Sequence, residues 1–407
     1  MHILYVDQYF RTPEEGGGIR SYYLAKGLVD AGHQVTLISG HTGAKYKRVF
    51  IDGIHVHYLP LPRRIWMRQA RATLRFVRLA CQRTDLFQRA DVCYLAATPL
   101  QVGLIGWYYR RRFNLPFYTE ISELNKITPR RPASSSSGRS WLRTRLQSQL
   151  ENQLLRHTKG VVARTPAVEA YLRQAVPQKP VRLLTNIADC RFFSHSERTR
   201  YHERQFAVAG KFVVSYMGAL DPSYQLTQFM DAAQACQRRQ LNDVQFLLVG
   251  TGSDRGRLKD YAQQAQLNNL RFLPHQNKYG MLSVLNVTDA VYVPSADQAE
   301  GCYADELFFD ALASGKLCIT NTRGWITELV EENDCGFHAS AHHPDGFAAQ
   351  LAPFVDERSR LKAYQANARA LGERQFDREK QVAILLDALG VHPSVPHPEV
   401  RADTLPA

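Results

Sequence analysis

No apolar run in this 407-residue chain approaches the ~20 residues that cross a bilayer, so no spanning helix is expected. The opening His2-Ile-Leu-Tyr-Val reads as a strand rather than the apolar core of a signal peptide. The seven cysteines (Cys81, Cys93, Cys190, Cys236, Cys302, Cys318 and Cys335) are odd in number and lack metal-ligand spacing. That argues against a disulfide framework or a structural zinc, and for reduced thiols in a cytoplasmic protein. The Gly-x-Gly-x-x-Gly dinucleotide fingerprint is absent. No nucleic-acid module is recognisable either, which makes nucleic acid the weaker partner for a basic chain. Acidic residues are scarce in one half only. Residues 1–190 hold 29 Lys and Arg against 12 Asp and Glu, a balance of +17, while residues 191–407 hold 22 against 26, a balance of −4. A basic first half facing something anionic is the expectation.

What is present is a repeated strand–loop–helix rhythm. Its clearest unit runs from the apolar Ala290-Val-Tyr-Val through an acidic loop with Glu300 and Glu306 to Leu317-Cys-Ile-Thr. Leu307, Phe308, Ala311 and Leu312 share a helical face, acids stand in the first turn, and Gly315 ends the helix. In such parallel-sheet units ligands sit beyond the carboxyl ends of the strands, where Asp310, Glu306 and Glu300 could accept sugar or ribose hydroxyls.

In chain order, strands are expected at His2–Asp7, Gly32–Gly40, Ile54–Leu59, Ala90–Leu95, Pro116–Glu123, Val161–Arg164 and Val181–Asn186. Gly16, Gly17 and Gly18 precede a helix from Ile19 to Val29. Free amides there, with Arg20 in the first turn, suit an anionic or hydroxyl-rich ligand. His55 and His57 are expected on the polar face of an edge strand rather than at a metal. Glu120 and Glu123 stand at the end of the fifth strand. The Pro- and Ser-rich stretch 129–138 reads as a loop that orders over a ligand. A linker is placed at 191–210. A second sheet then follows with strands at Phe212–Met217, Val244–Gly250 and Asn269–Leu273, and amides at Gly218 and at Gly250, Thr251 and Gly252 that suit a phosphate. Residues 391–407 are Pro-rich and read as a disordered tail.

One surface element stands apart. Arg64, Arg68, Arg71, Arg75 and Arg78 recur at intervals of three and four, with Met67, Ala70, Leu74, Val77 and Cys81 as an adjoining apolar stripe. Basic amphipathic helices of this kind suit an anionic membrane surface, where each cation adds ~1 kcal/mol. A sheet-packing helix with a solvated basic face gives the same pattern, and the two are compatible.

Gln8-Tyr-Phe with Gly16-Gly-Gly-Ile-Arg-Ser-Tyr22, Ala31-Gly-His, Tyr216-Met-Gly-Ala-Leu-Asp-Pro222, Leu248-Val-Gly-Thr-Gly252 and Asp310-Ala-Leu-Ala-Ser-Gly-Lys316 follow one another in an order that resembles the family-four retaining glycosyltransferases, especially those building bacterial surface polysaccharides. The resemblance spans about residues 1–390. It implies the GT-B architecture, two Rossmann-like α/β domains facing across a cleft: 1–190 on the acceptor side, 211–390 holding the donor. It implies sugar transfer from a nucleotide-sugar donor with retention, no metal and no cofactor, to a glycan or lipid-linked acceptor at the inner face of the membrane. Asp310, Glu300, Glu120 and Glu123 are then the candidate catalytic carboxylates. The family's basic residues at the phosphate fall on Ala219 and Tyr224, its glutamate pair on Cys302 and Asp310, and its fifth-strand histidine on Ser122. Two alternatives share the fold: a catalytically lapsed binding subunit of a polysaccharide assembly complex, and a GT-B epimerase or phosphorylase.

Overall fold

The computed structural model describes residues 1–15, 19–62, 69–96, 100–122, 149–193, 198–294, 306–340 and 343–391. Expectations on Gly16, Gly17, Gly18, Arg64, Arg68, Glu123, Glu300, the stretch 129–138 and the tail beyond residue 391 lie outside them.

Two sheets organise the chain. The first contains β1 (His2–Val6), β2 (Gln34–His41), β3 (Lys47–Ile51), β4 (Ile54–Pro60), β5 (Val92–Ala96), β6 (Phe117–Ile121), β7 (Gly160–Ala163) and β8 (Val181–Leu183), in the order β3-β4-β2-β1-β5-β6-β7-β8. The second contains β9 (Phe212–Met217), β10 (Val244–Val249), β11 (Leu270–Leu273), β12 (Ala290–Val293), β13 (Leu317–Thr320) and β14 (Gly336–His338), in the order β11-β10-β9-β12-β13-β14. Every pairing is parallel except β3 with β4. The continuous apolar runs follow from this, because a parallel sheet clad by helices buries both faces of each strand.

Side-chain alternation divides the first sheet's core in two. Ile3, Tyr5, Val35 and Leu37 face the Arg20–Asp30 helix. Leu4, Val6, Ile38 and Leu59 face the Gln69–Cys81 and Gly103–Phe113 helices. The last helix, Arg378–Leu389, follows the second sheet in sequence but buries Val382, Leu385, Leu386 and Leu389 in the first unit's core. Gly27 makes this docking close, since a Cβ there would lie 2.2 Å from Val382 Cγ2. The two crossings between units pair with each other: Ala188 N–H donates to the Phe376 carbonyl at 2.8 Å. The stretch expected as a linker carries a helix, Arg200–Phe206, and its Phe206 and Val208 join the second unit's core.

Two expectations are corrected. β4 is not an edge strand, because β3 covers it through the two-residue turn Asp52-Gly53, both residues at positive φ. His57 is therefore buried and bonded to the Tyr46 hydroxyl. Burial, then the Arg83 and Arg48 charges, pulls its pKa down to about 4. The basic helix also sits rotated from its expected apolar stripe. Ala72, Thr73, Phe76 and Ala80 are buried, whereas Leu74 is 60% exposed between the exposed Arg71, Arg75 and Arg78.

Candidate active site

A cavity of about 350 Å³ lies between the carboxyl ends of the two sheets, within the ~300–1,000 Å³ of small-molecule sites. Each wall is a loop or helix start that follows a strand. Ile19, Arg20 and Tyr23 come after β1, and Asn186 and Ile187 after β8. Met217 ends β9 and Gly218 and Ala219 follow it, Thr251 follows β10, and His275, Gln276 and Lys278 follow β11. Glu306 and Asp310 come from the helix after β12. Of the residues expected at the site, Arg20, Gly218, Thr251, Glu306 and Asp310 are brought to this one cavity.

Glu120 is not among the residues facing it. β6 is buried along its whole length, and the Glu120 carboxylate turns into a polar network beneath the cleft. Arg20 Nη1 donates to Glu120 Oε2 at 2.6 Å and the Tyr94 hydroxyl to the same oxygen at 2.5 Å, with Arg164 Nε at 3.8 Å from Oε1. Burial alone would raise the Glu120 pKa, but the Arg20 and Arg164 charges outweigh it and hold the carboxylate below its usual range. Arg20 is anchored further: its Nε and Nη2 donate to the Thr185 and Leu184 carbonyls at 2.9 Å each, leaving one N–H on each of Nη1 and Nη2. The guanidinium of Arg20, which lines the cavity, also ties the first helix to β6 and to the segment after β8.

The glycine loops also differ from expectation. The amides of Gly218, Gly250 and Ser253 donate to the Val249 carbonyl, the Leu273 carbonyl and Asp221 Oδ1. Those of Ala219, Thr251 and Gly252 have no partner among the described residues. Gly250 and Gly252 stand behind the cavity wall, where two loops touch backbone to backbone. A Cβ on Gly250, at φ +146°, would lie 1.9 Å from the Gly218 carbonyl oxygen, and one on Gly252 2.2 Å from that of Leu220. Gly252→Ala is expected to lower unfolding stability by roughly 1–3 kcal/mol through this overpacking. Denaturant titration checks it, and an unchanged midpoint contradicts the contact.

The sequence reading missed Lys278. It is the first residue of the Lys278–Val287 helix, capped by the Asn277 side chain, and it is buried. Its Nζ donates to Asp310 Oδ1 at 3.2 Å and lies 4.8 Å from the Phe193 ring centroid, 5.5 Å from Phe192 and 5.6 Å from Tyr23. Asp310 is held above the usual carboxylate range by burial, which Lys278 opposes and the Asp189 charge reinforces. At the rim Glu306 is exposed as a residue, yet packing around its carboxyl, then the Asp310 charge one turn on, raises its pKa as well. The available signal was position: Lys278 lies just past the carboxyl end of β11, where α/β sheets bind ligands. Among the described residues no group of three His, Cys, Asp or Glu side chains is placed to hold a metal ion.

Two consecutive family models match the chain, "Glycosyl transferase 4-like domain" over residues 15–186 and "Glycosyl transferases group 1" over residues 197–371. The chain belongs to the GT-B glycosyltransferases. A D-inositol 3-phosphate glycosyltransferase of Saccharomonospora viridis is 24% identical over 317 residues, 75% of this chain and 72% of that one. Among solved structures, sucrose-phosphate synthase from Thermosynechococcus elongatus superposes with a TM-score of 0.74 at 17% identity, covering 95% of this chain and 97% of that one. Anabaena HepE in complex with UDP-glucose superposes with a TM-score of 0.67 at 19% identity, covering 96% and 100%. The doubly wound pair of sheets and the cleft between them are thus the fold of this glycosyltransferase family.

Proposed function

We propose that this glycosyltransferase moves a sugar, with retention and without a metal, from a nucleotide-sugar donor in the cleft to a glycan or lipid-linked acceptor of a surface polysaccharide. The observation that carries the proposal is the cavity where the carboxyl ends of both sheets meet, with Lys278, Asp310 and Glu306 on its donor side. As the glycosidic bond breaks, negative charge grows on the departing diphosphate, and a site without a metal meets it with fixed donors. The uncommitted amides of Ala219 and Thr251 and the Lys278 ammonium are such donors. HepE, solved with UDP-glucose, supports a nucleotide-sugar donor on this fold.

The acceptor is assigned to an anionic membrane surface at the inner face. Exposed Arg71, Leu74, Arg75 and Arg78 share one side of the Gln69–Cys81 helix, which packs beside the helix carrying exposed Tyr108, Arg110, Arg111 and Arg112. Among the described residues no helix is long and apolar enough to cross a membrane, so this basic face would hold the enzyme by contact. Changing Arg71, Arg75 and Arg78 to glutamate is expected to weaken binding to vesicles containing anionic phospholipid by about a hundredfold or more in low salt. Unchanged sedimentation with vesicles would remove the membrane role.

Incubation with a panel of nucleotide sugars, with and without a lipid-linked glycan fraction, tests the activity. Nucleotide release that requires the acceptor supports transfer. Binding without turnover supports the lapsed subunit, and acceptor-independent conversion supports an epimerase or phosphorylase.

A further inference from the structure

We propose that Lys278 is the cation that receives the donor's diphosphate, exchanging its ion pair with Asp310 for phosphate oxygens and freeing the Asp310 carboxylate to accept a hydroxyl of the donor. The assignment rests on the nucleotide-sugar reading above and adds to it the residue and the exchange.

Charge balance leads to Lys278. Among the described residues facing the cavity, the permanent cations are Arg20 and Lys278. Arg20 spends three of its five N–H donors, one on each nitrogen, on two carbonyls and Glu120, which anchors its guanidinium in the network beneath the cleft. The loop after β9 brings no cation, because its residues facing the cavity are Gly218 and Ala219. Lys278 has three donors and, among the described residues, one acceptor, Asp310. Its other neighbours are the faces of Phe192, Phe193 and Tyr23, which stabilise a cation without neutralising it.

The position is also unfavourable for a lysine with only a structural role. An ammonium on the first residue of a helix meets the positive end of the dipole, and burial removes its water. A well-packed apolar pair would hold the two helices at least as firmly. An incoming diphosphate brings two or more negative charges and the acceptors that the ammonium lacks, so it competes with a single carboxylate for Lys278. Asp310, released, stands one turn from Glu306 on the same helix wall, facing the same cavity.

Calorimetric affinities of the full chain for UDP, ADP and GDP, each compared with its nucleoside, test this. The diphosphate that wild type binds is expected to bind far more tightly than its nucleoside. In K278M that ratio falls roughly tenfold or more while nucleoside affinity stays unchanged. K278R keeps most of the ratio, and so does D310N. K278Q, which leaves a polar tip beside Asp310, replaces K278M should the latter fail to fold. A purely structural pair would instead lower nucleoside and diphosphate affinity together in K278M and D310N alike, which would overturn the assignment. An unchanged ratio in folded K278M also overturns it and leaves the donor reading standing. Wild-type protein that binds none of the diphosphates would overturn both.

Discussion

Replacing Arg20 with methionine is expected to destabilise the protein by about 3–5 kcal/mol, because it leaves the Glu120 carboxylate buried without its closest cation. The loss is large for a folded chain, since net stability is typically only ~5–15 kcal/mol. Three ties break together: the ion pair to β6 and the bonds to the Leu184 and Thr185 carbonyls, which fix the first helix against the segment after β8. Adding Glu120→Gln to Arg20→Met removes the stranded charge, and part of the stability is expected to return. A double-mutant cycle by denaturant unfolding measures this coupling.

The same network sets a pH dependence with a definite sign. The Glu120 pKa is depressed in the folded protein relative to its ordinary value of 4.5. Its contribution is therefore fully present above the unfolded value and is lost as pH falls through the folded one. In Arg20→Met burial acts with less opposition, the carboxyl shifts upward, and that component of acid unfolding disappears. Activity would also fall, although Glu120 does not line the cavity, because Arg20 and Asn186 do and share this network through Arg164.

Asp310→Asn is expected to lower kcat/KM by roughly ten- to a hundredfold, the value of one hydrogen bond to a charged acceptor. Asparagine keeps the size of the side chain, so the helix Glu306–Ala313 and its apolar contacts with the second core stay in place. What is lost is an anionic acceptor for a donor hydroxyl once Lys278 has moved to phosphate. The pH profile separates this role from a packing role. Burial, reinforced by the Asp189 charge, raises the Asp310 pKa, so wild-type activity should decline on the acid side at a higher pH than for an exposed aspartate. That limb should vanish in Asp310→Asn. Wild-type kinetics in the variant would remove Asp310 from catalysis.

The sheets were largely legible because apolar runs buried on both faces leave little freedom. Phe212–Met217 and Leu317–Thr320 coincide with the expected strands. β3 was not expected, since two of the five residues of Lys47-Arg-Val-Phe-Ile are charged and it covers an edge rather than filling a core. The Asp52-Gly53 dipeptide, a strong two-residue hairpin signal, was the cue to it. The last helix shows another limit. Its apolar positions announce burial but not against which unit, and the partner helix carrying Gly27 lies some 350 residues earlier.

At the site, residue types were readable and pairings were not. Glu120 and Arg20 each suit a ligand when considered alone. They are held 2.6 Å apart across a sequence separation of 100, a pairing that no local pattern announces. Lys278 and Asp310 are 32 residues apart, and no local pattern links a lysine after one strand to an aspartate after the next. The glycines at 250 and 252 suggested a phosphate cradle, while the facing loop's backbone requires them whether or not a ligand binds. Strand ends locate the cleft. Only the fold decides which charges remain available in it.

A crystal structure of the protein with a nucleoside diphosphate is the most direct measurement of whether this cleft is a donor site. The diphosphate is expected between Gly218 and Lys278, with Lys278 Nζ within hydrogen-bond distance of a phosphate oxygen and withdrawn from Asp310. A nucleotide bound elsewhere, with the Lys278–Asp310 pair intact and the cavity between the sheets unchanged, would contradict the account.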